Sequence, residues 1–266
     1  MTQTTDRTSL SLGVLGIIVL VTAIWGFNFI VIKVGVQGVP PLLLASLRFV
    51  FSVFPAILFV RKPAASWGKL AAYGLLLGMG EFGFLFTAIK LGAPTGVSSV
   101  VMQSQAFFTA LIAAVVLRER IGRHSLIGMA VAGIGLALIA RSNMAGSDAT
   151  VSIGPITMVV AAAFFWAASN VVAQRMPNAN GLSLMVWSSL FSPLPLFALS
   201  YFFERESFAG AFANLKPISI GALLYLVCLS TLFGYGVWNQ LIMRHGARRI
   251  ALSVVMRSRR TRALEV

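Results

Sequence analysis

The chain has 266 residues, 58% of them hydrophobic and 11% charged, with a mean hydropathy of +0.89. That is more apolar surface than a soluble core of this size can hide, so the composition excludes a soluble globular domain and places the chain in a lipid bilayer. The net charge of +14 is dispersed through short gaps between long apolar runs, which reads as topology charge and argues against a nucleic-acid partner.

A helix crosses the hydrocarbon core in about 20 residues. Runs near that length occur at 12–32, 42–60, 70–89, 97–117, 126–140, 153–173, 182–203 and 218–243, the fifth short and the eighth long. Breakers separate them: Pro40-Pro41, Pro63, Pro94, a polar loop at 142–148, Pro177 and Pro217. The first run is long for a cleaved leader and no small-residue cleavage pattern follows it, so it reads as a spanning helix. With the N-terminus in the cytoplasm, the inside gaps hold eleven Lys and Arg residues and the outside gaps five, which favours that orientation. The single cysteine, Cys228, lies inside an apolar run and supports neither a disulfide nor a metal site.

Two internal matches divide the chain. IWGFNFIVIK (24–33) has a weaker copy in WAASNVVAQR (166–175), which lays Asn28 on Asn170 and Lys33 on Arg175. KLGAPTGVSSVVMQS (90–104) aligns without a gap on RHGARRIALSVVMRS (244–258). Five helices precede the repeat point, and an odd-numbered unit repeated in tandem arrives with opposite topology. The expected fold is therefore an all-α integral membrane protein of two inverted five-helix repeats, the first at 1–141 and the second, incomplete, at 152–258. About eight complete helices are present, and a basic tail at 259–266 lies outside the repeat pattern.

Polar residues in the runs are the candidates for function, because an amide or a charge in hydrocarbon must find a partner. Trp25 and Asn28 share a helical face with Thr22 one turn back. Trp166, Ser169 and Asn170 form a similar stripe, and Tyr235 precedes Trp238 by three positions and Asn239 by four. These stripes are expected to face the bundle interior as a solute-binding surface, the competing reading being helix-to-helix hydrogen bonding. Gln103 and Gln105 point to different faces of a straight helix, and Gln103, spaced to meet Ser99, is the favoured binder. Glu81, in mid-run, is the candidate for coupling efflux to proton entry; the alternative is a carboxyl held neutral or paired with Arg48, the basic residue well inside a helix. Glu119 is expected to anchor a helix end, and Gly74 with Gly78 forms a GxxxG step for close helix approach. No catalytic triad, phosphate loop or metal-ligand pattern stands out, so neither an enzyme nor a cofactor is expected.

WGFNFIVIKVG, PPLLLASLRF, FLFTAIKLGAPTGVSSVVMQSQAFF and the RERIG after the fourth run together resemble the EamA-type permeases of the drug/metabolite transporter superfamily. The likeness runs from about Val14 to about Ser258 and is strongest toward the O-acetylserine/cysteine exporters. It implies a ten-helix protein of the bacterial inner membrane that exports small metabolites such as cysteine or O-acetylserine by alternating access. Against that pattern the ninth helix stops near Met256 and a tenth is missing, so the alternative is a truncated, transport-inactive protein or a scaffold. The expected partners are the lipid bilayer and a small solute; a homodimer is left open.

Overall fold

The structure, a computed structural model, describes residues 12–118, 130, 133–134, 153–211 and 216–245. All secondary structure among these residues is helical. Six helices are long and apolar enough to cross a membrane: Gly13–Gly38, Pro41–Leu58, Trp67–Lys90, Thr95–Val116, Ile153–Gln174 and Pro217–Arg244. A seventh span forms if the pair Gly181–Phe191 and Pro193–Phe203, which meet at 41°, is taken as one. The chain is thus an all-α integral membrane protein. The spans keep the order of the apolar runs; of the fifth, only residues 130 and 133–134 are described, and Glu119 and the tail lie outside the described residues.

Leu194, Phe203 and Val115 are each 79% exposed, as suits a surface that meets lipid rather than water. Inside, small residues bring backbones together. On the sixth span (Ile153–Gln174), Ala162, Ala163, Ala167 and Ala173 are fully buried. On the third span (Trp67–Lys90), a Cβ at Gly74 would strike the carbonyl of Ser188, and one at Gly78 would strike the hydroxyl of Ser192. The same Ser192 hydroxyl donates to the Gly74 carbonyl at 2.8 Å, so the GxxxG step lies directly against the bend of the seventh span. The bend follows from Pro193, which opens a new helical segment without an N–H to give to the preceding turn.

Two of the described spans contain π-helical segments. Leu75–Gly83 in the third and Leu226–Tyr235 in the eighth (Pro217–Arg244) are π-helical, each flanked by α-helix on both sides. Such wide turns are rare and concentrate at functional sites. In the eighth span the Thr231 hydroxyl donates to the carbonyl of Leu226, five residues back, which is the spacing of a π turn. The fourth span (Thr95–Val116) is interrupted at Gln103-Ser104, where α-helix ends at Met102 and restarts at Gln105.

Polar bonds tie the span ends. At one end Lys69 Nζ donates to the Arg175 carbonyl at 3.2 Å and Arg175 to the Val116 carbonyl at 2.9 Å. At the other, Lys90 Nζ donates to the Val36 carbonyl at 2.8 Å. The second span (Pro41–Leu58) begins Pro40-Pro41 and has no cap of its own. Its first amides, Leu42 and Leu43, donate instead to the carboxylate of Glu204 at 3.0 and 3.3 Å, a negative charge at a helix N-terminus.

Candidate functional site

Four of the aromatic residues singled out from the sequence meet in one box. Trp25 of the first span lies with its ring centroid 5.3 Å from Trp166, 4.6 Å from Tyr235 and 5.2 Å from Trp238. Trp166 in turn lies 6.1 Å from Trp238 and 6.5 Å from Tyr235. Edge-to-face and tilted geometries dominate, as the ring quadrupoles favour. One wall of the box comes from each of the first and sixth spans and two come from the eighth.

On one side of the box stands an amide cluster. Asn170 accepts from Trp238 Nε1 at 3.1 Å and donates through Nδ2 to Gln105 Oε1 at 3.2 Å, and Thr109 donates to the same oxygen. All three polar side chains are fully buried. Gln105, and not Gln103, is the amide that joins this cluster. Because the fourth span is broken at Gln103-Ser104, the straight-helix wheel does not apply, and Gln105, first residue of the new segment, is the amide turned into the bundle. Gln103 is half-buried in the break, and Ser99, its expected partner, donates to its own helix at Gly96.

Two charged residues also adjoin the box. Glu81, 2% exposed, accepts from the Tyr235 hydroxyl at 2.6 Å, while its second oxygen, Oε2, has no partner. Arg48, wholly buried, donates from Nε to the Thr231 hydroxyl at 2.5 Å and from Nη2 to the Ser230 hydroxyl at 3.1 Å; Nη1 has no partner. Its guanidinium lies 3.8 Å from the centroid of the Phe82 ring. The sequence reading that pairs Glu81 with Arg48 is therefore not what the structure forms: each is held by hydroxyls of the eighth span. The box and the charges are continuous, since Trp25 Nε1 donates to the carbonyl of Ser230 at 3.2 Å.

The remaining candidates spread around this centre. Asn28 is buried with Oδ1 unpaired, and the indole N–H of Trp166 is also unpaired. Asn239 turns from the box toward the third span, where it accepts from the Tyr73 hydroxyl at 2.9 Å and leaves Nδ2 unpaired. Thr22 bonds back to its own helix at Ile18, and Ser169 to Trp166. Ser230, Thr231, Tyr73 and Phe82 were not anticipated; the Ser-Thr pair in the apolar LVCLSTLFGY is the signal that could have found the first two.

Comparison with known proteins agrees with this architecture. The profile of the EamA-like transporter family matches twice, at residues 11–141 and 153–256. A protein of Salmonella typhimurium named "Probable amino-acid metabolite efflux pump" is 40% identical over 237 residues, covering 87% of this chain and 79% of the relative. One of the same name in Escherichia coli K12 is 36% identical over 244 residues, 90% of this chain and 80% of the relative. A "Probable terminal-alkyne amino-acid exporter" of Streptantibioticus cattleyicolor is 25% identical over 237 residues, 85% of this chain and 75% of the relative. The double family match, the matching relatives and the apolar helices give one conclusion: the chain belongs to the EamA-like transporter family.

Proposed function

We propose that this membrane protein exports small amino-acid-like metabolites, cysteine and O-acetylserine among them, across the bacterial inner membrane by alternating access. The observation that carries the reading is the aromatic box, built from Trp25, Trp166, Tyr235 and Trp238 of both halves of the chain and bordered by buried polar atoms with no partner. A buried donor or acceptor left unpaired costs about 1–3 kcal/mol, so several around one centre favour a site that a polar ligand completes. Aromatic faces attract an ammonium, and amides and hydroxyls suit a carboxylate. The names of the relatives from Salmonella typhimurium and Escherichia coli lend support to the substrate class.

In this reading residues 1–141 and 152–258 are inverted repeats that rock about the box, with the N-terminus in the cytoplasm. The basic ends of Lys69 and Arg175, bonded at one end of the bundle, support that orientation. Glu81 takes up a proton on the path and couples efflux to proton entry. The test is export in cells hypersensitive to cysteine, together with loss of labelled cysteine from loaded inner-membrane vesicles. The chain is expected to protect the cells and to speed loss from vesicles over an empty-vector control. Equal sensitivity and equal loss, with the protein present in the membrane, would overturn the proposal.

A further inference from the structure

A fully buried guanidinium in a membrane interior is costly, and its usual compensation is an anion. Arg48 has none at contact distance: two of its nitrogens are taken by neutral hydroxyls, Nη1 is unpaired, and a ring covers its face. Glu81 shows the complementary pattern, with one oxygen held by Tyr235 and Oε2 unpaired. The two belong to one neighbourhood. Arg48 stacks on Phe82, the residue after Glu81, and the Phe82 ring lies 5.7 Å from that of Tyr235, the partner of Glu81. Ser230 and Tyr235 tie both to the aromatic box through Trp25. A buried cation and a buried acid share this neighbourhood with no direct ion pair between them, and each keeps one unpartnered atom, Arg48 Nη1 and Glu81 Oε2, the chemical complement of a molecule carrying both opposite charges.

We propose that Arg48 and Glu81 are the two ends of a zwitterion site: Arg48 Nη1 takes the carboxylate of an α-amino acid and Glu81 Oε2 takes its ammonium, beside the aromatic box. This rests on the amino-acid reading of the cargo and deepens it, giving Arg48 a binding role where the sequence suggested a structural one. An α-amino acid carries its two charges on substituents of a single carbon, so one ligand completes both residues. Thr231 and Ser230 are the positioning residues that hold the guanidinium fork, and the bond of Thr231 to Leu226 makes the π turn part of that support.

The experiment follows the tryptophan fluorescence of the purified full chain in lipid nanodiscs. The probes are cysteine, cysteamine, which lacks the carboxylate, and 3-mercaptopropionate, which lacks the amine. Wild-type protein is expected to bind cysteine at least about tenfold more tightly than either fragment, the scale of a hydrogen bond to a charged group. Arg48→Gln should bring cysteine down to the level of cysteamine and leave cysteamine unchanged. Glu81→Gln should bring cysteine down to the level of 3-mercaptopropionate. If Arg48→Gln does not fold, Arg48→Lys, which keeps the charge but loses the fork, is expected to weaken cysteine and not cysteamine. Wild-type protein that binds cysteamine as tightly as cysteine overturns the assignment, as does either Arg48 variant retaining the full preference for cysteine. Cysteine exported without that preference removes the zwitterion site alone, whereas failure to bind or export cysteine in any form removes the amino-acid reading itself.

Discussion

The third and eighth spans each lie within one of the two family matches, and both run α, π, α, yet they are loaded differently. The third is the more enclosed, with Gly74 and Gly78 pressed on the backbone and hydroxyl of the seventh span and a single acid, Glu81. The eighth holds the hydroxyls that grip Arg48, two walls of the aromatic box and the phenol that binds Glu81. The difference shows that one backbone device serves two ends. In the third span the wide turn sits in tight packing, and in the eighth it carries the hydroxyls and the phenol that meet Arg48 and Glu81.

Glycines offer the sharpest way to break this contrast. Gly74→Ala places a methyl group against the Ser188 carbonyl, a backbone atom that cannot step aside, whereas Gly234→Ala meets the indole nitrogen of Trp25, the end of a side chain. Gly74→Ala should cost about 1–3 kcal/mol or more of stability, seen as a lower melting temperature in detergent, while Gly234→Ala should stay folded and lose cysteine binding. Equal melting points for the two variants would remove the distinction between a packed span and a loaded one.

Glu81 and Tyr235 link the two spans by one bond, with Arg48 and Tyr73 the other ionisable groups that neighbour it. Glu81→Gln should reduce proton-driven uptake into inverted vesicles about tenfold and flatten its response to an imposed pH gradient. An unchanged response would end the coupling role. Gln105→Leu tests the satisfied side of the box. The loss of its bonds to Asn170 and Thr109 should lower stability by about 0.6–2 kcal/mol in thermal melts, with transport per folded molecule little altered. The smallest effect is expected from Glu204→Gln at the start of the second span. Replacing a charged by a neutral acceptor there should cost about 0.3–1 kcal/mol, visible as a small melting shift that shrinks in high salt.

Much of this was legible in the sequence. Apolar length located the spans, and spacings of three and four residues put Trp25, Asn28, Trp166, Asn170, Tyr235 and Trp238 on shared helical faces, because a period of 3.6 fixes which side chains share a side. What periodicity cannot supply is the partner on another helix. Arg48 and Glu81 were noticed as opposite charges, but the hydroxyls of Ser230 and Thr231 lie about 180 residues from Arg48 in sequence, so their grip on it has no local sign. The facing of Gln103 and Gln105 is hidden for a different reason. A helical wheel presumes a straight helix, but the backbone breaks here, and no proline or glycine stands at Gln103-Ser104 to announce the break. The π segments are hidden in the same way, since one extra residue per turn leaves composition untouched.

The clamp of Glu204 on the second span bears on the order in which the chain is made. Leu42 and Leu43 enter the bilayer early, but their acceptor is translated some 160 residues later, and the hydroxyl of Ser46 waits equally for the carbonyl of Pro193. The ribosome therefore delivers a first half whose second helix starts with open amides, and the seventh helix is the piece that closes it. The two halves of this protein are separate in sequence but not self-sufficient in hydrogen bonds.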